Sequence, residues 1–265
     1  MTGIISRVMD KVRLLRNFTP KNAERIGDYE REWDRYAENW KIWKKTKYAG
    51  LTHVGDEWIG KDAGAASSLN EFESLIETSF INPYIAAQDD VLEIGVGGGN
   101  TSQLLLKHCH NLICADISSD MLKATRNRLG TKRVSYVKLD GLTFTGIKPA
   151  SADVCFTFAT LVHLEPRDIF NYLTLIPTVL KGKRLCILHH ANVLSDRGWQ
   201  LFLREWKDNL MGQRCGAPFS VMTDGIMERF LTHLGYEIVL KDTQSLPRDC
   251  VWICKAPHSE SVSTR

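Results

Sequence analysis

An apolar run, Val91-Leu92-Glu93-Ile94, empties directly into a glycine-rich turn, Gly95-Val96-Gly97-Gly98-Gly99-Asn100. The following apolar run ends on Asp116, 21 positions after Gly95. Glycine lets a backbone approach a ligand where a Cβ would collide. An acid at the tip of the second strand is placed to accept hydrogen bonds from a ribose diol. A second acidic turn follows at Asp140-Gly141. Together these features predict a nucleoside-containing cofactor bound at the edge of a parallel sheet.

The rest of the chain agrees with such a sheet. Apolar segments near 90–95, 111–116, 134–139, 152–158 and 183–189 read as strands, with helical spacing near 100–108, 118–129 and 166–180 between them. This alternation implies parallel strands joined by right-handed crossovers. After a helix-rich stretch near 195–233, two more strands are expected at 236–241 and 249–255. The link from Thr243 to Arg248 is too short for a helical crossover, so those two should pair antiparallel. The predicted organisation is a helical extension over 1–52, one α/β domain over 53–256 and a polar, Ser-rich, disordered tail over 257–265.

The extension has two parts. Ile4, Ile5, Val8, Met9, Val12, Leu15 and Phe18 recur at helical spacing with Arg7, Lys11, Arg13 and Arg16 between them. Such a basic amphipathic helix over 4–18 either packs on its own domain, docks on a partner or lies on an anionic membrane surface. A second helix is predicted over 22–48, where Trp33, Tyr36, Trp40 and Trp43 share one face. That stripe reads first as core packing, with a cap over a substrate pocket as the sharper alternative. Gly55-Asp56-Glu57-Trp58-Ile59-Gly60 reads as an ordered loop before a helix near 68–84.

Charge and cysteine usage narrow the class. Residues 1–50 hold 12 Lys/Arg against 7 Asp/Glu, whereas the remainder holds 22 against 24. The basicity belongs to the extension, which argues against a nucleic-acid groove on the core domain. Seven cysteines without a C-x-x-C indicate neither a disulfide framework nor a zinc knuckle. A reduced, cytoplasmic setting is expected, without a secretory signal or an apolar run of roughly 20 residues.

A nicotinamide-binding fingerprint would carry a further glycine where Asn100 stands and would sit nearer the N-terminus. The motifs instead resemble those of class I S-adenosylmethionine-dependent methyltransferases over residues 88–255. The resemblance implies a Rossmann-like seven-stranded sheet of order 3-2-1-4-5-7-6 with the last strand antiparallel. It implies that Gly95, Gly97 and Gly99 cradle the amino-acid end of S-adenosyl-L-methionine. Glu93 would support that loop or reach the methionine ammonium. Asp116, with Ile117 beside it, would hold the ribose; Asp140, Gly141 and Leu142 would meet adenine, the carboxylate accepting from its amine. Phe158, in Thr157-Phe158-Ala159, would pass beside the sulfonium.

Methyl transfer to an alcohol also needs a base, and His is the usual choice near neutrality. His163, in Thr160-Leu161-Val162-His163-Leu164-Glu165-Pro166, follows the fourth strand at the edge where such sheets bind ligands. The alternative is a histidine that only caps the helix beginning near Pro166 or packs beneath the loop. His189 and His190 end the fifth strand at the same edge, and strand alternation lets only one face the site. Either could be a second base, a substrate donor or a ligand to a divalent ion such as magnesium, which some sugar-modifying members use. His108-Cys109-His110 reads as a helix end and not a metal tract. Trp199, Phe202 and Trp206 share a helical face, read as packing on the sheet before sugar stacking.

Within the superfamily, Gly55-Asp56-Glu57-Trp58, Val162-His163-Leu164-Glu165-Pro166, His189-His190-Ala191 and Arg248-Asp249-Cys250 resemble a bacterial group that methylates sugars. The expected function is O-methylation of a saccharide, in a glycan or on a glycosylated natural product. N-methylation of a small amine and a non-catalytic scaffold are the competing readings. Expected partners are the acceptor, an inner membrane face touched peripherally through 4–18, and a second copy in a homo-oligomer.

Overall fold

The computed structural model describes residues 20–58, 63–210 and 219–258. The expected basic helix over 4–18 lies outside them, as does the tail beyond His258.

The first helix, α1 (Pro20–Trp43), is followed by α2 (Leu69–Ile76), which runs into a π-helical turn at Glu77–Ile81. From there strands and helices alternate: β1 (Asp90–Ile94), α3 (Asn100–His108), β2 (Asn111–Asp116), α4 (Ser119–Leu129), β3 (Val134–Lys138) and β4 (Ala152–Thr157). A 3-10 turn at Leu161–His163 leads into α5 (Pro166–Val179), then β5 (Leu180–Ala191) and α6 (Asp196–Leu210). The chain closes with α7 (Asp224–Leu234), β6 (Glu237–Asp242) and β7 (Asp249–Lys255).

The strands form one sheet of order β3-β2-β1-β4-β5-β7-β6. Neighbours from β3 to β5 pair parallel, whereas β7 runs antiparallel to both β5 and β6. This is the expected Rossmann-like methyltransferase topology. Local capping starts the helices where the sequence allows: the Ser118 hydroxyl accepts from Met121 N–H at 3.0 Å, and Thr223 does the same for Ile226 at 3.1 Å.

Two apolar layers cover the sheet. One holds Leu92, Leu188, Trp252 and the α7 residues Met227 and Leu231; the other holds Val91, Phe156, Ile187 and the α2 residues Phe72 and Ile76. A third cluster joins Tyr36, Ala37 and Trp40 of α1 to Val54 and to Met121 of α4, so the aromatic stripe is core packing over most of its length.

Several expectations need correcting. The second helix stops at Trp43, because the Tyr48 N–H bonds the Trp43 carbonyl at 2.8 Å and closes the chain into turns. The fifth strand is longer than expected, running from Leu180 to Ala191. Trp199 and Trp206 do not pack on the sheet; they are 51% and 41% exposed. Gly198, Leu201 and Glu205 face inward instead, since a Cβ at Gly198 would sit 2.0 Å from the Asn192 carbonyl oxygen. His108 and His110 are structural as expected: they bond Glu77 at 2.6 Å and Asp90 at 3.1 Å.

Candidate active site

A cleft of about 720 Å³ opens at the carboxyl edge of β1, β2 and β4. Gly95, Gly97, Asp116, Ile117, Gly141 and His163 all line it, so six residues singled out in the sequence meet in one place. A neighbouring lobe of about 460 Å³ shares Trp58, Gly95, Gly97 and Ala159 with it and adds Phe158 and Phe72. The glycine turn lies between the two lobes.

The turn is held from three sides. Glu93 is fully buried and accepts the hydroxyls of Thr101 and Ser102, both at 2.5 Å, tying β1 to the first turn of α3. It supports the loop and does not line the cleft. Burial raises its pKa to about 7, against the pull of those two hydroxyls. From a second side the 53–58 loop presses on Gly98, where a Cβ would stand 1.6 Å from the Val54 carbonyl oxygen. From the third, a Cβ at Gly95 would meet Thr160 at 2.2 Å. The Thr160 hydroxyl lies 3.1 Å from the Ile94 carbonyl and 3.0 Å from that of Gly95, so β1 and the β4 turn are clamped together. At Gly97, by contrast, the Cβ position is open, with Trp58 3.9 Å away. The backbone there faces the cleft.

Asp116 is 5% exposed, and its carboxylate accepts from Gly97 N–H at 3.0 Å and Ser118 N–H at 2.8 Å. Burial pushes its pKa to about 6, with those two donors opposing the rise. Asp140 turns onto its own loop: Oδ1 accepts from Leu142 N–H at 2.8 Å and Thr143 N–H at 2.6 Å, and Oδ2 from the Thr143 hydroxyl. Its carboxylate holds the turn, and the cleft wall there is Gly141. Leu142 and Gly99 stand outside the lining; Gly99 instead opens α3.

His163 closes the cleft toward β5. Its ring lies edge-on to Trp33 at 4.9 Å and 5.1 Å from Phe219. Trp33 stays packed against the aromatic cluster of α1, its ring 5.8 Å from that of Tyr36, and also lines the cleft. The remaining aromatics are fixed to the 53–58 loop by Glu57, which accepts from Tyr36 Oη at 2.8 Å and Trp40 Nε1 at 2.9 Å. Asp56, also buried, pairs with Arg128 of α4 at 2.8 Å. The Gly55-Asp56-Glu57-Trp58 segment thus bolts α1 to the glycine turn.

His189 and His190 point to opposite faces of β5, as alternation demands, and both are buried. His190 Nε2 accepts from Trp252 Nε1 at 2.9 Å, leaving Nδ1 to donate to the Ala191 carbonyl at 2.7 Å. Burial lowers its pKa to about 4, so it is neutral. It lies on the face covered by α7, behind the sheet from His189. His189 stacks on Phe158 at 4.2 Å; its Nδ1 accepts from Ala159 N–H at 2.9 Å, and Nε2 donates to Asp249 at 3.0 Å. Both rings are engaged at both nitrogens, an arrangement for holding structure and not for taking a substrate proton. Among the described residues no group of three His, Cys, Asp or Glu side chains could hold a metal ion.

The sequence reading passed over Tyr29, Asp168 and Tyr172, which also line the cleft. Asp168 sits in the first turn of α5, where an acid is ordinary, and Tyr29 Oη approaches it at 3.4 Å.

Residues 91–183 match the family model described as a methyltransferase domain. Over those residues the chain is similar to methyltransferase domains. Its fold is shared with magnesium protoporphyrin IX methyltransferase (ChlM) from Synechocystis PCC 6803, solved with bound SAH: 14% identity, 84% of this chain, 98% of that one, TM-score 0.55. The DhpI–SAH complex is similar at 15% identity, 85% and 95% coverage and TM-score 0.56. A SAM-dependent methyltransferase from Methanosarcina mazei aligns at 16% identity, 68% and 98% coverage and TM-score 0.54. No curated protein matches the chain in sequence. Two of these neighbours hold SAH, the demethylated product of S-adenosylmethionine. The cleft fits it on its own terms: an open backbone at Gly97, a buried carboxylate at Asp116, and an apolar wall of Ile117, Met121 and Leu139 suited to a flat base. Among the described residues, no helix is long and apolar enough to cross a membrane.

Proposed function

We propose that the protein O-methylates a hydroxyl of a saccharide, with His163 as the general base. The carrying observation is that His163 shares one cleft with Gly95, Gly97 and Asp116, walled by Trp33 and Trp58. Asp116 would hold the ribose, and the backbone at Gly95 and Gly97 the amino-acid end. S-Adenosylmethionine supplies an electrophilic methyl on sulfur.

The chain's own residues supply placement and a proton acceptor. Orientation alone contributes up to about 7–11 kcal/mol in favourable cases. Trp33 and Trp58 present aromatic faces, 5.7 Å apart at 80°, that suit the C–H faces of a sugar ring and exclude water. His163 would take the acceptor's hydroxyl proton as that oxygen forms its bond to the methyl carbon and the C–S bond to the sulfonium breaks. A solvated alcohol is a poor nucleophile at pH 7, and a positioned base contributes roughly 10²–10⁴-fold.

The test uses labelled S-adenosylmethionine with free sugars, lipid-linked glycans and amines, with and without magnesium. Label should pass to a saccharide oxygen, and His163→Ala should cut that rate by about 10²–10⁴-fold while leaving SAH affinity unchanged. Transfer to amines alone would refute the reading.

A further inference from the structure

A second cavity, of about 350 Å³, lies between the carboxyl end of β5, the inner face of α6 and the Phe219–Ser220 segment. Asn192, Phe202, Asn209, Phe219 and Ser220 line it. Two of the four buried side-chain atoms without a hydrogen-bond partner among the described residues are here, Ser220 Oγ and Asn209 Oδ1. Ser220 is only 9% exposed. Native interiors hold few such atoms, because each carries an uncompensated desolvation cost. Two gathered in one cavity point to a ligand that would satisfy them.

The lining defines the ligand's chemistry. Asn209 Oδ1 can only accept, and Ser220 Oγ can accept or donate. Glu205, 9% exposed, adds a carboxylate to the same wall. The guanidinium of Arg248 is committed to Asp249 at 2.8 and 2.6 Å, so its charge is neutralised locally. Phe202, stacked on Trp199 at 5.3 Å, and Phe219, with the Arg248 guanidinium over one face at 4.3 Å, leave their remaining aromatic surface to the cavity. Hydrogen-bond acceptors beside aromatic faces suit a ring bearing hydroxyl groups.

This cavity adjoins the proposed base. The Phe219 ring lines it and lies 5.1 Å from the His163 ring. The Ser220 N–H donates to the Val162 carbonyl at 2.6 Å, pinning the turn that carries His163. We propose that the cavity is an acceptor-anchoring subsite for a second sugar unit, so that the acceptor is an oligosaccharide spanning Phe219. This rests on the saccharide O-methyltransferase reading.

Calorimetry on the full chain loaded with SAH tests it, using methyl glycosides and the matching disaccharides of glucose, galactose, mannose and rhamnose. At least one disaccharide should bind ten-fold or more tightly than its monosaccharide. Ser220→Ala and Asn209→Leu should each remove most of that advantage, with SAH and monosaccharide affinities unchanged. Because Ser220 Oγ bonds nothing, Ser220→Ala should unfold at the same temperature as wild type or higher, which a structural serine would not. Equal binding of mono- and disaccharides, or variants that bind the disaccharide like wild type, would overturn the subsite alone. Binding of SAH with no saccharide bound, and label passing only to amines, would overturn the saccharide reading and the subsite with it. Failure to bind SAH would remove the methyltransferase reading beneath both.

Discussion

His189 Nδ1 accepts the backbone N–H of Ala159 at 2.9 Å, across the C-terminal ends of two neighbouring strands. Ala159 has φ +55°, a left-handed conformation that costs a residue with a Cβ on the order of 1–3 kcal/mol. The hydrogen bond therefore holds a strained turn directly beside the cleft. The other ring nitrogen bonds Asp249, which Arg248 grips through two further bonds. A buried chain, Arg248–Asp249–His189–Ala159, thus carries order from the first residues of β7 to the β4 turn.

Breaking that chain should cost stability. His189→Leu leaves the Ala159 N–H and the Asp249 carboxylate buried without this partner. We expect a loss of about 2–4 kcal/mol, read from urea unfolding. A loss below 0.5 kcal/mol would show that the turn holds itself.

Asp249 gives the chain a pH signature. Burial acts to raise its pKa, but His189 and then Arg248 outweigh it and bring it down to about 2. Its contribution is complete above the unfolded value near 4 and is lost as pH falls through 2, roughly 2 kcal/mol in all. Asp249→Asn should flatten the stability profile between those limits, as followed by circular dichroism during acid titration.

Glu93 should act in the opposite sense. Its folded pKa is raised to about 7, so the folded state holds a proton that the unfolded chain releases near 4.5. Stability then falls as pH rises from 4.5 to 7, by about 3 kcal/mol for this group. Glu93→Gln should gain stability relative to wild type between pH 5 and pH 8 in chemical denaturation. A constant difference across that range would count against a protonated Glu93.

On the proposed function, Asp116 should link pH to cofactor affinity. Its ionised form is the better acceptor for ribose hydroxyls, and its pKa before binding is about 6. Calorimetric SAH affinity should be flat above pH 7 and weaken toward ten-fold per unit below 6. Asp116→Ala should lose about 1.5–3 kcal/mol of binding at pH 7.5, and the pH slope with it.

The glycines should rank by contact and not by motif. Gly98→Ala drives a Cβ into the Val54 carbonyl and should dislodge the 53–58 loop, lowering SAH affinity at least ten-fold. Gly97→Ala meets open space, with Trp58 3.9 Å away, and its cost is mainly that of φ +52°, about 1 kcal/mol. Equal effects in titration calorimetry would mean that the loop does not lean on Gly98.

The parallel sheet with its closing antiparallel pair and the glycine turn at its edge were legible in the sequence, and the resemblance to class I methyltransferases implied the strand order. Hydrophobic period, the glycine turn and the short Thr243–Arg248 link are local properties, and each permits only a few backbone paths. Hence Gly95, Gly97, Asp116 and Gly141 could be placed at one edge before any coordinates. The glycine turn could be read, but not what braces it. Gly98 is needed for a carbonyl 44 residues away in the chain, at Val54. Trp33 enters the cleft because Glu57 and the Asp56–Arg128 pair dock α1 there. His189 and His190 are alike in sequence, yet Ala159, Asp249 and Trp252 consume their nitrogens. Trp199 and Trp206 turn outward because Gly198 lets α6 approach on its other side. Local patterning set the strands, the helices and the glycine turn, because it acts over a few residues. Which side chains stay free for chemistry was decided by tertiary structure, because a hydrogen bond or a collision depends on residues far away in the chain.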